Sequence, residues 1–306
     1  MSKEVIATKN VTIIEVCPRD GFQNVKEFIP TDIKKTVIDG MIRSGLKHIQ
    51  ITSFVSPKII PQMIDAKEIA TYCVGNYPNI TFHALVPNLR GAASAAECEI
   101  KHISYIISVS ETHNLKNVKK TREESFADLQ DLIGSYPNLD ITLDVVTAFG
   151  CFYEGYFGVE EIMKFLRQAY DLGIRSFNLC DTVGMAYPSL VEDIVGAALS
   201  GYTDCEFQIH IHDTRNMGIL NTYTALKMGI TKLQTSLGGL GGCPFAPGAS
   251  GNTSTEDMVY LLNKMGYKTS IDFDILLYTA KNLKACVNGS YSGHQIFIET
   301  SNMCNH

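Results

Sequence analysis

The chain has 306 residues, of which 45% are hydrophobic and 19% charged, which gives ample material for a packed core and no disordered or low-complexity tract. A net charge of -6 argues against general nucleic-acid binding, and no apolar run approaches the roughly 20 residues of a membrane-spanning helix. The opening MSKEVIATKN has no signal-peptide plan and the closing CNH no lipidation or sorting signal, so a cytoplasmic protein is expected. Nine cysteines are scattered singly, with no CxxC, so each reads as a small buried apolar residue rather than part of a disulfide framework or thiolate zinc site.

In chain order, eight short runs rich in β-branched and aromatic residues read as strands: 11–16 (VTIIEV), 48–54, 80–86, 102–109, 140–149, 176–182, 206–213 and 232–239. Amphipathic stretches lie between them. TDIKKTVIDGMIRSGL has Thr31 as a candidate cap and Gly45 as a stop, and GVEEIMKFLRQAYDLGI repeats that plan. A helix in TEDMVYLLNKMG completes the eighth unit. Eight β/α units in about 240 residues predict a TIM (β/α)8 barrel over residues 8–268, followed by a short helical extension and tail over 269–306, all in one domain. In that fold the active site lies at the C-terminal ends of the strands.

Chemistry collects there. The first strand runs into CPRDGFQN, which places Arg19 and Asp20 at the barrel mouth. The seventh ends in HIHDT, whose His210 and His212 are two apart and share one strand face. Two imidazoles and a carboxylate suit a divalent metal: Mg²⁺ or Mn²⁺ if oxygens fill the remaining positions, with Zn²⁺, Co²⁺ or Fe²⁺ also compatible.

CPRDGFQN, ITSFVSPK, CDTVG, HIHDT and GGLGGCPFAPGASGN, in this order and spacing, resemble the 3-hydroxy-3-methylglutaryl-CoA lyases of the DRE-TIM metallolyase superfamily, over nearly the whole chain. The resemblance implies that Asp20, His210, His212 and Asn252 are metal ligands, Arg19 a catalytic arginine, Cys243 a catalytic loop cysteine and Asp181 an active-site aspartate. It also implies a dimer and a CoA thioester substrate, cleaved by retro-Claisen chemistry to acetyl-CoA and acetoacetate. In that chemistry a metal acidifies the substrate hydroxyl, Arg19 meets the developing thioester oxyanion, His210 or Asp20 accepts the hydroxyl proton, and Cys243 protonates the enolate carbon.

The sequence departs from the lyase pattern in two places. Gln50 stands where the lyases carry glutamate, and HDTRNMG replaces HDTYGQA, bringing in Arg215, which either meets an extra substrate carboxylate or faces solvent. Asn114, Lys116 and Asn117, with Lys119 and Lys120, follow the fourth strand and are candidate CoA contacts. A condensing synthase of the same superfamily would share Arg19, Asp20 and the histidine pair, but only about 37 residues remain after the barrel for its usual accessory region. A non-catalytic acyl-CoA-binding barrel is a third reading, favoured by Gln50 alone.

Overall fold

The computed structural model describes residues 10–242 and 251–298. All eight expected strands form: β1 (Thr12–Glu15), β2 (His48–Ser53), β3 (Thr81–Val86), β4 (His102–Ser108), β5 (Asp140–Val146), β6 (Ser176–Asp181), β7 (Glu206–Ile211) and β8 (Lys232–Thr235). They pair in parallel, each with its sequence neighbours, and β8 returns to β1 to close the barrel. Among the described residues ten α-helices accompany them: α1 (Thr31–Arg43), α2 (Ala66–Asn76), α3 (Leu89–Glu97), α4 (Glu111–Val118), α5 (Arg122–Ser135), α6 (Val159–Asp171), α7 (Pro188–Gly201), α8 (Gly218–Met228), α9 (Thr255–Lys264) and α10 (Phe273–Cys286). None is long and apolar enough to cross a membrane.

The strands carry two alternating sets of side chains, because successive residues point to opposite faces. One set is apolar: Ile49, Ile51, Ile103, Tyr105, Leu143, Val145, Phe177, Leu179, Phe207, Ile209 and Leu233 are all buried in one core cluster. The apolar stripe of α6, formed by Ile162, Phe165, Leu166 and Ala169, belongs to the same cluster. Each fully buried large side chain there contributes roughly 1.5–3 kcal/mol. The other set is polar. Gln50 of β2 donates to Ser104 of β4 at 3.0 Å, and strands that are not neighbours in the barrel can meet in this way only across its interior.

Helix ends follow local chemistry. Ser110, Thr121, Ser254 and Asp272 each accept a backbone N–H from the first turn of α4, α5, α9 and α10, satisfying donors that a helix start otherwise leaves without partners. Thr31 does not cap α1 as expected. Pro30 occupies the cap position, and the Thr31 hydroxyl is turned to Asp65 Oδ2 at 2.9 Å. The stop at Gly45 holds, with φ +100°. The expected extension is α10, tied to the end of α1 by the Asp272 N–H on Ser44 O at 2.7 Å. Of the seven cysteines described, five are buried, Cys205 is intermediate and Cys286 exposed; none of the seven is in a disulfide.

Candidate active site

Immediately after β1 the chain makes a single wide helical turn, Cys17–Gly21, every residue of which is buried. The Asp20 N–H reaches back to Val16 O at 2.7 Å. This turn, a form enriched at functional sites, aims Arg19 and Asp20 across the mouth of the barrel. Gly21 is needed where it packs: a Cβ there would meet Cys17 Sγ and Leu240 O, each at 3.1 Å.

From β7, His210 and His212 point the same way. Their Nε2 atoms lie 3.9 and 3.8 Å from Asp20 Oδ2, and the rings are 5.0 Å apart between centroids. These separations exceed a hydrogen bond, so three donors converge without bonding one another. Their ligand atoms all lie within 4.8 Å of each other, the spacing that bonds of about 2.1 Å to one ion would require.

Asn252 reaches the same point by a different route. After the glycine-rich segment the chain returns antiparallel to the end of β7: the Asp213 N–H bonds Gly251 O at 2.9 Å, and the Thr253 N–H bonds Ile211 O at 3.1 Å. His212 and Asn252 are thereby paired. Asn252 Nδ2 donates to Asp20 Oδ2 at 2.8 Å, while its Oδ1 is buried with no hydrogen-bond partner among the described residues. Buried polar atoms without partners are uncommon and need an explanation. A divalent cation held by Asp20, His210, His212 and Asn252 supplies one, and the donor set fits it.

The electrostatics agree. Burial alone would raise the Asp20 carboxyl, but the Arg19 guanidinium, both imidazoles and the Asn252 amide pull it down to about 2. Burial pushes His210 down to about 3, aided by His212 beside it, and also lowers His212. All three are therefore in the metal-binding protonation state near neutral pH.

Arg19 is held at two atoms. Its Nε donates to Gln50 Oε1 and its Nη1 to Asp20 Oδ1. A guanidinium has five N–H donors, so others remain for a ligand. Gln50 thus anchors the guanidinium from the barrel interior. Asp181 is placed differently. It accepts the Met185 and Ala186 N–H groups at 2.7 and 3.1 Å, and burial raises its carboxyl to about 7. It shapes the loop after β6 and lies outside the converging metal donors. Arg215 donates from Nη1 to the carbonyls of Val183 and Gly184 at 3.3 and 2.5 Å, so it braces that same loop, while the side chain stays exposed with its other N–H donors outside these two bonds.

The expectation that Asn114 contacts CoA is corrected by its hydrogen bonds. The buried amide accepts Ser108 N–H at 2.9 Å and donates to Lys120 O, Thr121 O and Ser125 Oγ, which commits both ends to organising the α4–α5 turn. Lys116 and Asn117 are exposed on α4, with Lys116 Nζ 3.9 Å from the Tyr153 ring centre. Cys243 lies outside the described residues.

Sequence reasoning missed Asp144, Ser104 and Asn178. All three are nearly fully buried, and Asn178 Nδ2 donates to Asp144 Oδ1 at 2.9 Å. The available signal was a polar residue at alternate positions of otherwise apolar strands.

Comparison with known proteins accords with this geometry. The family described as HMGL-like matches residues 10–283. The hydroxymethylglutaryl-CoA lyase YngG of Bacillus subtilis is 42% identical over 275 residues, covering 89% of this chain and 92% of that protein. The crystal structure of the Bacillus subtilis HMG-CoA lyase superposes with TM-score 0.89 at 40% identity, covering 94% and 97% of the two chains. An Acinetobacter baumannii HMG-CoA lyase, solved with coenzyme A and 3-methylmalate, gives TM-score 0.91 at 35% identity over 97% of each chain. Barrel, metal-donor geometry and similarity along almost the full length coincide, and the chain belongs to the HMGL-like family.

Proposed function

We propose that this protein is a divalent-metal-dependent carbon–carbon lyase that cleaves 3-hydroxy-3-methylglutaryl-CoA, or a close 3-hydroxy-3-substituted relative, to acetyl-CoA and a 3-oxo acid, acetoacetate in the first case. The observation that carries the reading is the convergence of Asp20, His210, His212 and Asn252 beside an arginine whose remaining N–H groups are uncommitted. The curated relatives named HMG-CoA lyase and the structure with bound coenzyme A support the substrate class. We read the chain as one domain that works as a homodimer in the cytoplasm with Mg²⁺ or Mn²⁺, in keeping with a donor set of one carboxylate, one amide and two imidazoles.

The bound cation supplies Lewis acidity, which lowers the pKa of a coordinated hydroxyl. The rest falls to the chain's own side chains. Arg19, fixed at Nε and Nη1, turns its remaining N–H bonds to the thioester oxygen and stabilises it as it becomes negative, an effect worth roughly 3 kcal/mol for such donors. The tertiary hydroxyl proton passes to Asp20 or His210, the two basic groups beside the place of the cation. The C2–C3 bond then breaks, and Cys243 returns a proton to the enolate carbon. Lys116 and Asn117, exposed on α4, remain the proposed contacts for CoA.

The test is incubation of the protein with 3-hydroxy-3-methylglutaryl-CoA and Mg²⁺, followed by assay of acetoacetate and acetyl-CoA. No product above a metal-free control would defeat the reading. Wild-type turnover by Cys243→Ala would remove that residue from the mechanism.

A further inference from the structure

We infer that Asp144 is a positioning residue for Arg19, acting through Ser104 and Gln50 to decide which end of the Gln50 amide faces the guanidinium. The inference rests on the reading that Arg19 meets the substrate thioester.

Gln50 of β2, Ser104 of β4 and Asn178 of β6 come from alternate strands, the arrangement by which inward side chains of an eight-stranded barrel share a layer. Asp144 of β5 stands opposite Asn178 in the strand register and is 3% exposed. An ionised carboxylate can only accept hydrogen bonds. It accepts from Asn178 Nδ2 at 2.9 Å, and the Ser104 hydroxyl lowers its pKa, as a hydrogen bond donated to the carboxylate does. Ser104 has a single hydroxyl proton. With that proton given to Asp144, Ser104 Oγ is left as an acceptor, and Gln50 Nε2 donates to it at 3.0 Å. The Gln50 carbonyl is then the end turned to Arg19, where it accepts from Nε. The other amide orientation would set an NH₂ group against the guanidinium N–H.

Burial raises the Asp144 carboxyl to about 6, against the lowering effects of Asn178 and Arg19. It is therefore mostly ionised, and an acceptor only, above neutral pH. Filling the barrel interior with satisfied polar groups does not by itself call for a charge. Gln234 and Gln208 meet in the same interior at 3.1 Å with no carboxylate between them. The charged residue is needed where a direction has to be imposed on the chain of hydrogen bonds.

Substitutions at the two ends make the direction testable. In Asp144→Asn the new amide satisfies Asn178 with its oxygen and donates to Ser104, whose proton then turns to Gln50 and reverses that amide. The expected result is a fall in kcat of about 10- to 100-fold, the scale of a misplaced catalytic group, with KM within about threefold. Adding Gln50→Glu restores acceptors toward both Arg19 and Ser104, so the double variant is expected within about threefold of wild-type kcat. Gln50→Glu alone is expected to be impaired, because two carboxylates compete for one serine proton. Ser104→Ala, which breaks the chain without touching a charge, is expected to lower kcat in the same direction. Wild-type kcat in Asp144→Asn, or a double variant no better than that single one, would overturn the inference.

A second readout is independent of turnover: the ¹⁵Nε–¹Hε resonance of Arg19, assigned by its loss in Arg19→Lys. It is expected to shift in Asp144→Asn and to recover in the double variant, and an unmoved resonance would overturn the relay. If the wild-type protein cleaves no thioester at all, the lyase reading fails while this resonance still decides the relay.

Discussion

Asn252 Nδ2 donates to Asp20 Oδ2 at 2.8 Å across 232 positions of sequence, joining the turn after the first strand to the strand-like return after the last. The bond orients the acidic ligand and brings the Asn252 amide oxygen to the same place. Asn252→Ala is therefore expected to weaken Mn²⁺ binding by at least the 10- to 100-fold typical of lost orienting contacts. Titration calorimetry with Mn²⁺ checks this, and an unchanged dissociation constant would exclude Asn252 from the site.

Gly241 makes that return possible. Its φ is +150°, and a Cβ at this position would stand 2.6 Å from Asn252 Nδ2. Gly241→Ala is expected to cost about 1–3 kcal/mol of stability from backbone strain and, by displacing Asn252, to weaken Mn²⁺ binding as well. Gly134→Ala, at a helical glycine with nothing within 4 Å of the added atom, is the control. Equal melting temperatures and Mn²⁺ affinities for the two variants would remove the steric argument.

Arg19 is gripped at Nε by Gln50 and at Nη1 by Asp20. Arg19→Met is expected to reduce kcat by about 10²–10³-fold, with a much smaller change in KM, because the lost interaction is made chiefly in the transition state. Arg19→Lys is not expected to rescue activity, since an ammonium cannot reproduce a planar fork anchored at two points. Steady-state kinetics on both variants decide the matter; a lysine enzyme with native kcat would show that charge alone suffices.

A pH dependence of stability follows from Glu256, whose carboxylate accepts Gly238 N–H at 2.9 Å at the start of the glycine-rich segment. Burial pushes its carboxyl from 4.5 to about 8. Between those values the folded protein keeps a proton that the unfolded chain has released. The contribution is complete below about pH 4.5 and is lost progressively from there as pH rises through 8, on the order of 5 kcal/mol in all. Wild type is expected to lose more melting temperature than Glu256→Gln between pH 5 and pH 8.5, and parallel profiles would contradict the assignment.

Much of this was legible in the sequence. The β-branched runs that became β1 to β8 bury one face against helices, so their composition and spacing carry the eightfold count. HIHDT could be read as two imidazoles on one strand face because the side-chain period of a strand is two, and CPRDGFQN as a barrel-mouth motif because it follows a strand directly. Asn114 was misread for the opposite reason. A polar loop residue looks available until its partners at Ser108, Lys120, Thr121 and Ser125 are known. Thr31 likewise looks like a cap until Asp65, 34 positions away, competes for its hydroxyl.

What the sequence by itself determined is therefore local: which segments are strands, where they end, and which donors stand at those ends. Only the tertiary structure decided which of those donors meet. Asp20, His210, His212 and Asn252 come from three separate stretches of chain, and barrel closure together with the antiparallel return beside β7 brings them to one point. The polar chain from Arg19 through Gln50 and Ser104 to Asp144 spans the barrel interior. No spacing rule could have disclosed it, because its members are neighbours only after eight parallel strands have closed around them.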